Sequence, residues 1–287
     1  ILSILNPDRV SDIEERVMTS PESETQTKQY WQDGFLNGIK VVDPDDAKAH
    51  REQLEEAERQ IGYGLHYHSK VHTVLRSPYE LATHPVLLDL VEEILGPNIL
   101  LYNVTYIIKE PQTAKFVSWH QDLTYWGFDG AEEVSAWLAL SPATAESGCM
   151  QMIPGSHRQG LKEQVTSDDP DNVLLQSQTI EDIREKDAVL CPLKPGEASL
   201  HHGWTIHASH PNTSADRRIG LNIQYITPQM QQTKAKSDSA MLIRGQDCFG
   251  HYETDAPADE WLPGDAGERL LAATRKYHAI TGSPNHA

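Results

Sequence analysis

The spacing of apolar positions changes part-way along the chain. Before about residue 98 apolar side chains recur at helical intervals among charged ones. A short amphipathic helix is expected over Asp12 to Met18. Another is expected over Gln29 to Leu36, ending in a turn that leads into a strand at Gly38 to Val42. Asp43-Pro44-Asp45 offers an N-cap with proline at the first helical position, so a helix with one apolar side is expected from Asp46 to about Ile61. Pro85 to Leu95 reads as a further helix, stopped by Gly96-Pro97.

From Ile99 onward the pattern becomes one of short strands. They are expected at Leu100 to Ile108, Ala114 to Trp119, Glu133 to Leu140, Cys149 to Ile153, Ala188 to Cys191, Ala198 to His202 and Ile219 to Ile226. Turn signals such as Glu110-Pro111, Asp129-Gly130, Ser147-Gly148 and Pro195-Gly196 separate them. Helices followed by many short strands predict a mainly β protein with flanking helices, built on a double-stranded β-helix (jelly-roll, cupin-like) core. No Gly/Ser-rich or Pro-rich linker divides the chain, so one domain over 1–287 is expected. It would have helical support over about 1–98, the core over about 99–228 and an extension over about 229–287. The polar, acidic stretch 162–187 reads as a surface excursion and a candidate lid.

Composition narrows the partners. The formal net charge of −18 is opposite to the basic stripe that a nucleic-acid site needs. It also disfavours highly anionic substrates such as coenzyme A thioesters. No stretch approaches the roughly 20 apolar residues of a membrane span, and Ile1 to Leu5 meets Asn6-Pro7-Asp8 too soon for a signal-peptide core. Cys149, Cys191 and Cys248 form neither a disulfide framework nor a zinc motif, which fits a reducing cytoplasm. The expected partner is a small molecule, with no nucleic acid and no membrane.

The chemistry concentrates in Ser118-Trp119-His120-Gln121-Asp122. A His-x-Asp pair with one distant histidine is the sequence form of the 2-His-1-carboxylate set, which holds non-haem Fe(II) and leaves coordination positions open. On a strand, residues two apart share a face, so His120 and Asp122 are expected side by side. Candidates for the distant ligand are His201, His202, His207 and His210. His157, in Ile153-Pro154-Gly155-Ser156-His157, reads as structural. Glu132 and Glu133 are adjacent and would point to opposite faces, which argues against a glycosidase-type pair.

Several longer segments carry a resemblance: Trp119 to Gly127 (WHQDLTYWG), Ser147 to His157 (SGCMQMIPGSH), Pro195 to Arg218 and the strand Ile219 to Ile226, together with the opening Tyr30 to Leu36 (YWQDGFL). In these the chain resembles the phytanoyl-CoA dioxygenase family of Fe(II)/2-oxoglutarate enzymes. The resemblance implies that His120, Asp122 and His207 ligate iron and that Arg218, not its neighbour Arg217, pairs with the far carboxylate of 2-oxoglutarate. A planar guanidinium suits that role because it can donate two parallel hydrogen bonds to a carboxylate. Ser209 is implied as a second holder of the same carboxylate, and Ser135 and Asn103 as further co-substrate contacts. Trp126 matches an aromatic near the substrate. Tyr125, Gln121 and Gln151 are placed at the substrate with it, and Trp119, Phe128 and Gln224 are offered as further wall residues.

The implied activity is hydroxylation, and the net charge favours a small polar metabolite or natural-product intermediate as substrate. The implied cofactors are Fe(II), 2-oxoglutarate and O₂, with ascorbate as a candidate reductant. Halogenating relatives carry a small residue where this chain has Asp122, so hydroxylation (or desaturation, or ring formation) rather than halogenation is expected. The alternative is a non-catalytic jelly-roll binding or sensing protein with a vestigial metal site. A structural zinc protein would need a cysteine-rich ligand set, which is missing here.

Overall fold

A computed structural model describes residues 21–174 and 178–281. Helix α1 spans Pro21–Asp33 and passes directly into strand β1, Phe35–Lys40. Helices α2 (Pro44–Ile61), α3 (Arg76–Ala82) and α4 (Pro85–Leu95) follow. The core strands are β2 (Ile99–Lys109), β3 (Val117–His120), β4 (Glu133–Ala139) and β5 (Met150–Met152). A four-residue helix α5 (Leu123–Trp126) sits between β3 and β4. Next come the small hairpin β6 (Val165–Thr166) and β7 (Gln178–Thr179), then β8 (Val189–Cys191), β9 (Glu197–His201), β10 (His207–Ser209) and β11 (Arg218–Ile226). The chain closes with β12 (Ser239–Arg244), β13 (Glu253–Thr254) and helix α6 (Ala266–Thr281).

The strands form a seven-stranded sheet in the order β1-β9-β4-β11-β2-β12-β13 and a four-stranded sheet in the order β3-β10-β5-β8. Pairing is antiparallel except for β12 with β13. This is the mainly β jelly-roll architecture with flanking helices that the strand pattern predicts.

Period-two alternation sorts each central strand into two faces. Along β11, Ile219, Leu221, Ile223 and Tyr225 pack into the large core shared with the helices, together with Val134, Ala136 and Leu138 of β4. The intervening Arg218, Asn222 and Gln224 line an interior cavity. Strand β2 needs one irregularity to match. Gln224 pairs with Asn103 and Tyr225 with Leu101, so Tyr102 is an extra residue. This bulge puts Asn103, Thr105 and Ile107 on the cavity side and Val104, Tyr106 and Ile108 on the helix side.

Several boundaries differ from the sequence reading, each for a local reason. Helix α1 starts before Gln29 and stops at Asp33, because Gly34 takes φ +87° and returns its N–H to the Tyr30 carbonyl at 2.7 Å. Phe35 and Leu36, expected at a helix end, open β1 and pair with His201 and Leu200. Residues 114–116 do not continue β3, since Phe116 bridges outward to Asn172 instead. The expected helix over Asp12 to Met18 lies outside the described residues.

The segment 162–187 and the C-terminal stretch both contribute inward. Leu174 lines the cavity, and Ile180 donates its N–H to the Trp119 carbonyl at 2.8 Å. Strand β12 pairs with β2, and Tyr277 and His278 of α6 reach the cavity wall.

Candidate metal and co-substrate site

Strands β3 and β10 lie side by side with His120 opposite His207, so sheet register alone brings the two imidazoles together, ring centroids 4.1 Å apart. Asp122 arrives differently from the expected strand geometry. Strand β3 ends at His120, and Asp122 has helical angles (φ −61°, ψ −45°) at the start of α5. The turn is fixed by Leu123 N–H bonding to the Gly203 carbonyl at 3.2 Å. Asp122 Oδ1 then lies 3.4 Å from His120 Nε2 and 3.7 Å from His207 Nε2. Ligand atoms of the three residues all lie within 4.8 Å of one another, and this is the metal-capable group among the described residues.

The outer contacts prepare these side chains as ligands. His120 Nδ1 donates to the Ser118 carbonyl at 2.8 Å and His207 Nδ1 to the Thr205 carbonyl at 2.9 Å. Each proton is therefore on Nδ1, and each Nε2 lone pair faces the centre, as metal ligation requires. Burial holds His207 down at about 3, so it is a neutral donor at neutral pH. Burial pushes the Asp122 carboxyl up, but His207, His120 and His201 outweigh it and hold it well below the usual carboxylate range. Its second oxygen, Oδ2, is 3.1 Å from Ser135 Oγ and 3.3 Å from His201 Nε2.

The other end of the cavity is cationic. Arg218 is 1% exposed and donates one bond, to the Gly148 carbonyl at 2.8 Å, while its Nε has no partner. Its guanidinium carbon lies 5.0 Å from the Trp137 ring centroid. Burial lowers Arg218 only to about 10, so it remains charged at neutral pH. Lys109, its register partner on β2, reaches Ser209 Oγ at 2.8 Å and the Ser209 and His210 carbonyls. Burial lowers Lys109 to about 6. Among the described residues no carboxylate pairs with either cation. A buried guanidinium with unused donors calls for a carboxylate, and Ser209 lines the same cavity. The donor set and the unpaired arginine thus fit a metal ion and a carboxylate co-substrate in one cavity of about 120 Å³.

One glycine keeps this end in place. A Cβ at Gly220 would lie 1.9 Å from Trp137 Cζ2. Gly220→Ala is expected to cost about 1–3 kcal/mol through overpacking, with a Tm loss of roughly 2–4 °C per kcal/mol in thermal unfolding. It should also weaken carboxylate binding, because Trp137 carries Arg218.

The remaining candidates separate clearly. Tyr125, Trp126, Asn103, Ser209 and Gln224 line the cavity. Ser135 does not: its hydroxyl serves Asp122 and Glu133. Gln121 points away, and its amide spends itself on the Gly160 and Trp204 carbonyls and the Lys162 N–H. Gln151 also lies off the cavity, since Met150 is the β5 residue facing it. Trp119 packs with Ile180, Ile206 and Ala208, and Phe128 against Tyr102.

Of the rival histidines, His202 accepts from Trp204 N–H and neighbours His157, whereas His201 reaches the centre without joining the ligand set. Arg217 lies off the cavity, tied to Glu58 and Glu110. Lys109, Tyr67, Thr105, Leu174, Tyr277 and His278 join the site only in the folded chain. Lys109 carried a signal, an inward polar residue at the end of an apolar strand. Tyr67 carried none, because its position depends on an unusual φ of +61°.

Comparison with known proteins agrees with this geometry. The sequence profile "Phytanoyl-CoA dioxygenase (PhyH)" matches residues 30–220, and the chain belongs to the phytanoyl-CoA dioxygenase family. It is 36% identical over 121 residues to phytanoyl-CoA dioxygenase 1 of Oryza sativa subsp. japonica, covering 42% of each chain. It is 30% identical over 170 residues to a protein of Stutzerimonas stutzeri named "Probable alpha-ketoglutarate-dependent hypophosphite dioxygenase", covering 58% of this chain and 56% of that one. The matches thus span about half the length of these curated relatives. Among solved structures, the apo form of the non-heme monooxygenase ThoJ superposes with a TM-score of 0.78 at 27% identity, covering 90% of this chain and 97% of ThoJ.

Proposed function

We propose that the protein is an Fe(II)- and 2-oxoglutarate-dependent dioxygenase that hydroxylates a small polar metabolite or natural-product intermediate, with release of succinate and CO₂. The observation that carries this reading is the placement of a complete His-Asp-His set and an unpaired, buried, charged arginine in one cavity. His120, Asp122 and His207 would hold the iron, and Arg218 with Ser209 would hold the far carboxylate of 2-oxoglutarate. When bound, iron and 2-oxoglutarate supply O₂-dependent oxidation of an unactivated C–H bond, coupled to decarboxylation of the co-substrate. The chain itself binds, orients and shields. The two Nδ1–H bonds lock the imidazoles, and Trp137 backs the anchoring guanidinium.

The substrate side of the cavity is walled by Tyr125, Trp126, Leu174 and Tyr277, which exclude water from the reacting region. Gln224 Oε1 is buried there without a partner and would accept a hydrogen bond from a substrate O–H or N–H. Arg218 is the one Lys or Arg on the wall among the described residues. With it assigned to the co-substrate, a strongly anionic substrate has no cation to meet, which favours a small polar molecule over an acyl thioester. ThoJ, a non-heme monooxygenase, and the S. stutzeri relative, named as α-ketoglutarate-dependent, support the reaction class.

The reading is tested by incubating the enzyme with 2-oxoglutarate, Fe(II) and O₂ and quantifying succinate. Iron-dependent succinate, lost on chelation and restored by iron, is expected even without substrate. Absence of succinate under every condition would favour a binding protein with a vestigial site. Asp122 carries a second expectation. Its carboxylate fills the position that halide takes in halogenating enzymes, so turnover of the true substrate in excess chloride should give oxygenated product. A chlorine isotope pattern in the product mass spectrum would contradict the ligand role of Asp122.

A further inference from the structure

One buried acid near the ligand set has no part in the chemistry above. Glu133 of β4 is 1% exposed, and among the described residues no cation faces it. Its Oε2 makes no full hydrogen bond and has only the Gly203 backbone N–H near it, while its Oε1 lies 2.7 Å from Ser135 Oγ. Ser135 Oγ is in turn 3.1 Å from Asp122 Oδ2. Strand alternation explains the grouping, because Glu133 and Ser135 share the inward face of β4. His201 completes it. It lies opposite Ser135 across the β4–β9 pair, and its Nε2 is 3.3 Å from the same Asp122 oxygen.

Counting hydrogens fixes the directions. A serine hydroxyl has one hydrogen, yet Ser135 Oγ sits between two carboxyl groups. One of them must supply a hydrogen. Asp122 faces three imidazoles and belongs to the candidate ligand set, so it is the ionised member. Glu133 is then the neutral acid: it donates to Ser135 Oγ, and Ser135 donates to Asp122 Oδ2. Burial, with the nearby Asp122 charge, holds the Glu133 carboxyl well above its usual range, in agreement with the count. His201 Nδ1 has no partner, and its Nε2–H is directed at Asp122 Oδ2.

We infer that Ser135, His201 and a protonated Glu133 form a buried anchor that holds Oδ2 of Asp122, so that Oδ1 alone is presented to the metal. These are positioning residues, and the inference rests on the ligand assignment under Proposed function. Two donors on Oδ2 make bidentate ligation unfavourable, because Asp122 would have to turn away from both and leave them buried and unpaired. Ligation through one oxygen keeps the rest of the coordination sphere open. A carboxylate held from behind also loses little rotational freedom on binding a metal, which raises affinity. Glu133 must be neutral, since an ionised carboxylate could only accept, and would draw the Ser135 hydrogen away from Asp122.

The test measures Mn(II) affinity directly, from the electron paramagnetic resonance signal of the free ion, with folding checked by thermal unfolding. Ser135→Ala and His201→Leu are expected to weaken Mn(II) binding about 10- to 100-fold, the usual range for loss of an outer partner. His201→Gln and Glu133→Gln are the informative controls. Each keeps an N–H donor of similar reach, so both should stay near the wild-type affinity. These near-isosteric variants still decide the matter if His201→Leu fails to fold. Wild-type affinity in Ser135→Ala would overturn the anchor, as would a loss in Glu133→Gln as large as in Ser135→Ala. His207→Ala, run alongside, separates the two readings. If it too binds Mn(II) like the wild type, the ligand assignment itself fails. If it loses the metal while Ser135→Ala keeps it, only the anchor fails.

Discussion

Replacing His207 or His120 by alanine is expected to abolish iron binding and turnover together. Each imidazole is buried, oriented by a backbone carbonyl at 2.8–2.9 Å and aimed at a common point with Asp122. Loss of an outer partner of a metal ligand already costs about 10- to 100-fold, so loss of a ligand itself should exceed that. The nearby His201 cannot substitute, because its Nε2 is committed to the far oxygen of Asp122. Metal content after dialysis and succinate formation at saturating iron are the two readouts. Full activity of either variant at equal iron would remove the assignment.

The second large effect concerns Arg218. Among the described residues its guanidinium is the one fully buried cation on the cavity wall, and its charge survives at neutral pH. A hydrogen bond to a charged group contributes about 1.5–3 kcal/mol, so Arg218→Ala should weaken 2-oxoglutarate binding by roughly 10- to 150-fold. Arg218→Lys should recover only part of this, because an ammonium cannot make the planar two-pronged contact. Arg217→Ala should leave 2-oxoglutarate affinity almost unchanged. It pairs with Glu58 and Glu110 and does not line the cavity. Calorimetric titration of 2-oxoglutarate into the anaerobic metal-loaded proteins measures all three. The opposite ranking of Arg217 and Arg218 would move the anchor by one residue.

The sequence made some of this legible and hid the rest for physical reasons. Strands with strict alternation or continuous apolar runs were readable, which is why β2, β4 and β11 fall close to their expected places. Strand β10 was not, since three residues carry no period, although two of them are His207 and Ser209. The His-x-Asp spacing marked the candidate ligands, but not how they meet. The expectation of one shared strand face gave way to a strand residue and a helical one, because Gly203 captures the Leu123 N–H and turns the chain. Ser135 was legible as a polar inward residue. Its partner was not, because the Asp122 contact depends on that turn. Gln121 and Gln151 looked like substrate contacts through proximity in sequence to the ligands. Each lies on the opposite side of its strand or loop from the ligand-bearing face. Tyr277 and His278 lie more than 150 residues from His120, and only the docking of α6 brings them to the cavity.

One cavity should hold iron and 2-oxoglutarate together, metal at the His120 end and carboxylate at the Arg218 end. An anaerobic crystal structure with Fe(II) and 2-oxoglutarate, phased to show anomalous scattering at the iron edge, tests this most directly. The predicted result is an iron peak bonded to His120 Nε2, His207 Nε2 and one oxygen of Asp122, with the far carboxylate of 2-oxoglutarate on the Arg218 guanidinium and Ser209 Oγ. An iron peak away from these three residues, or a co-substrate carboxylate that leaves Arg218 unpaired, would contradict it.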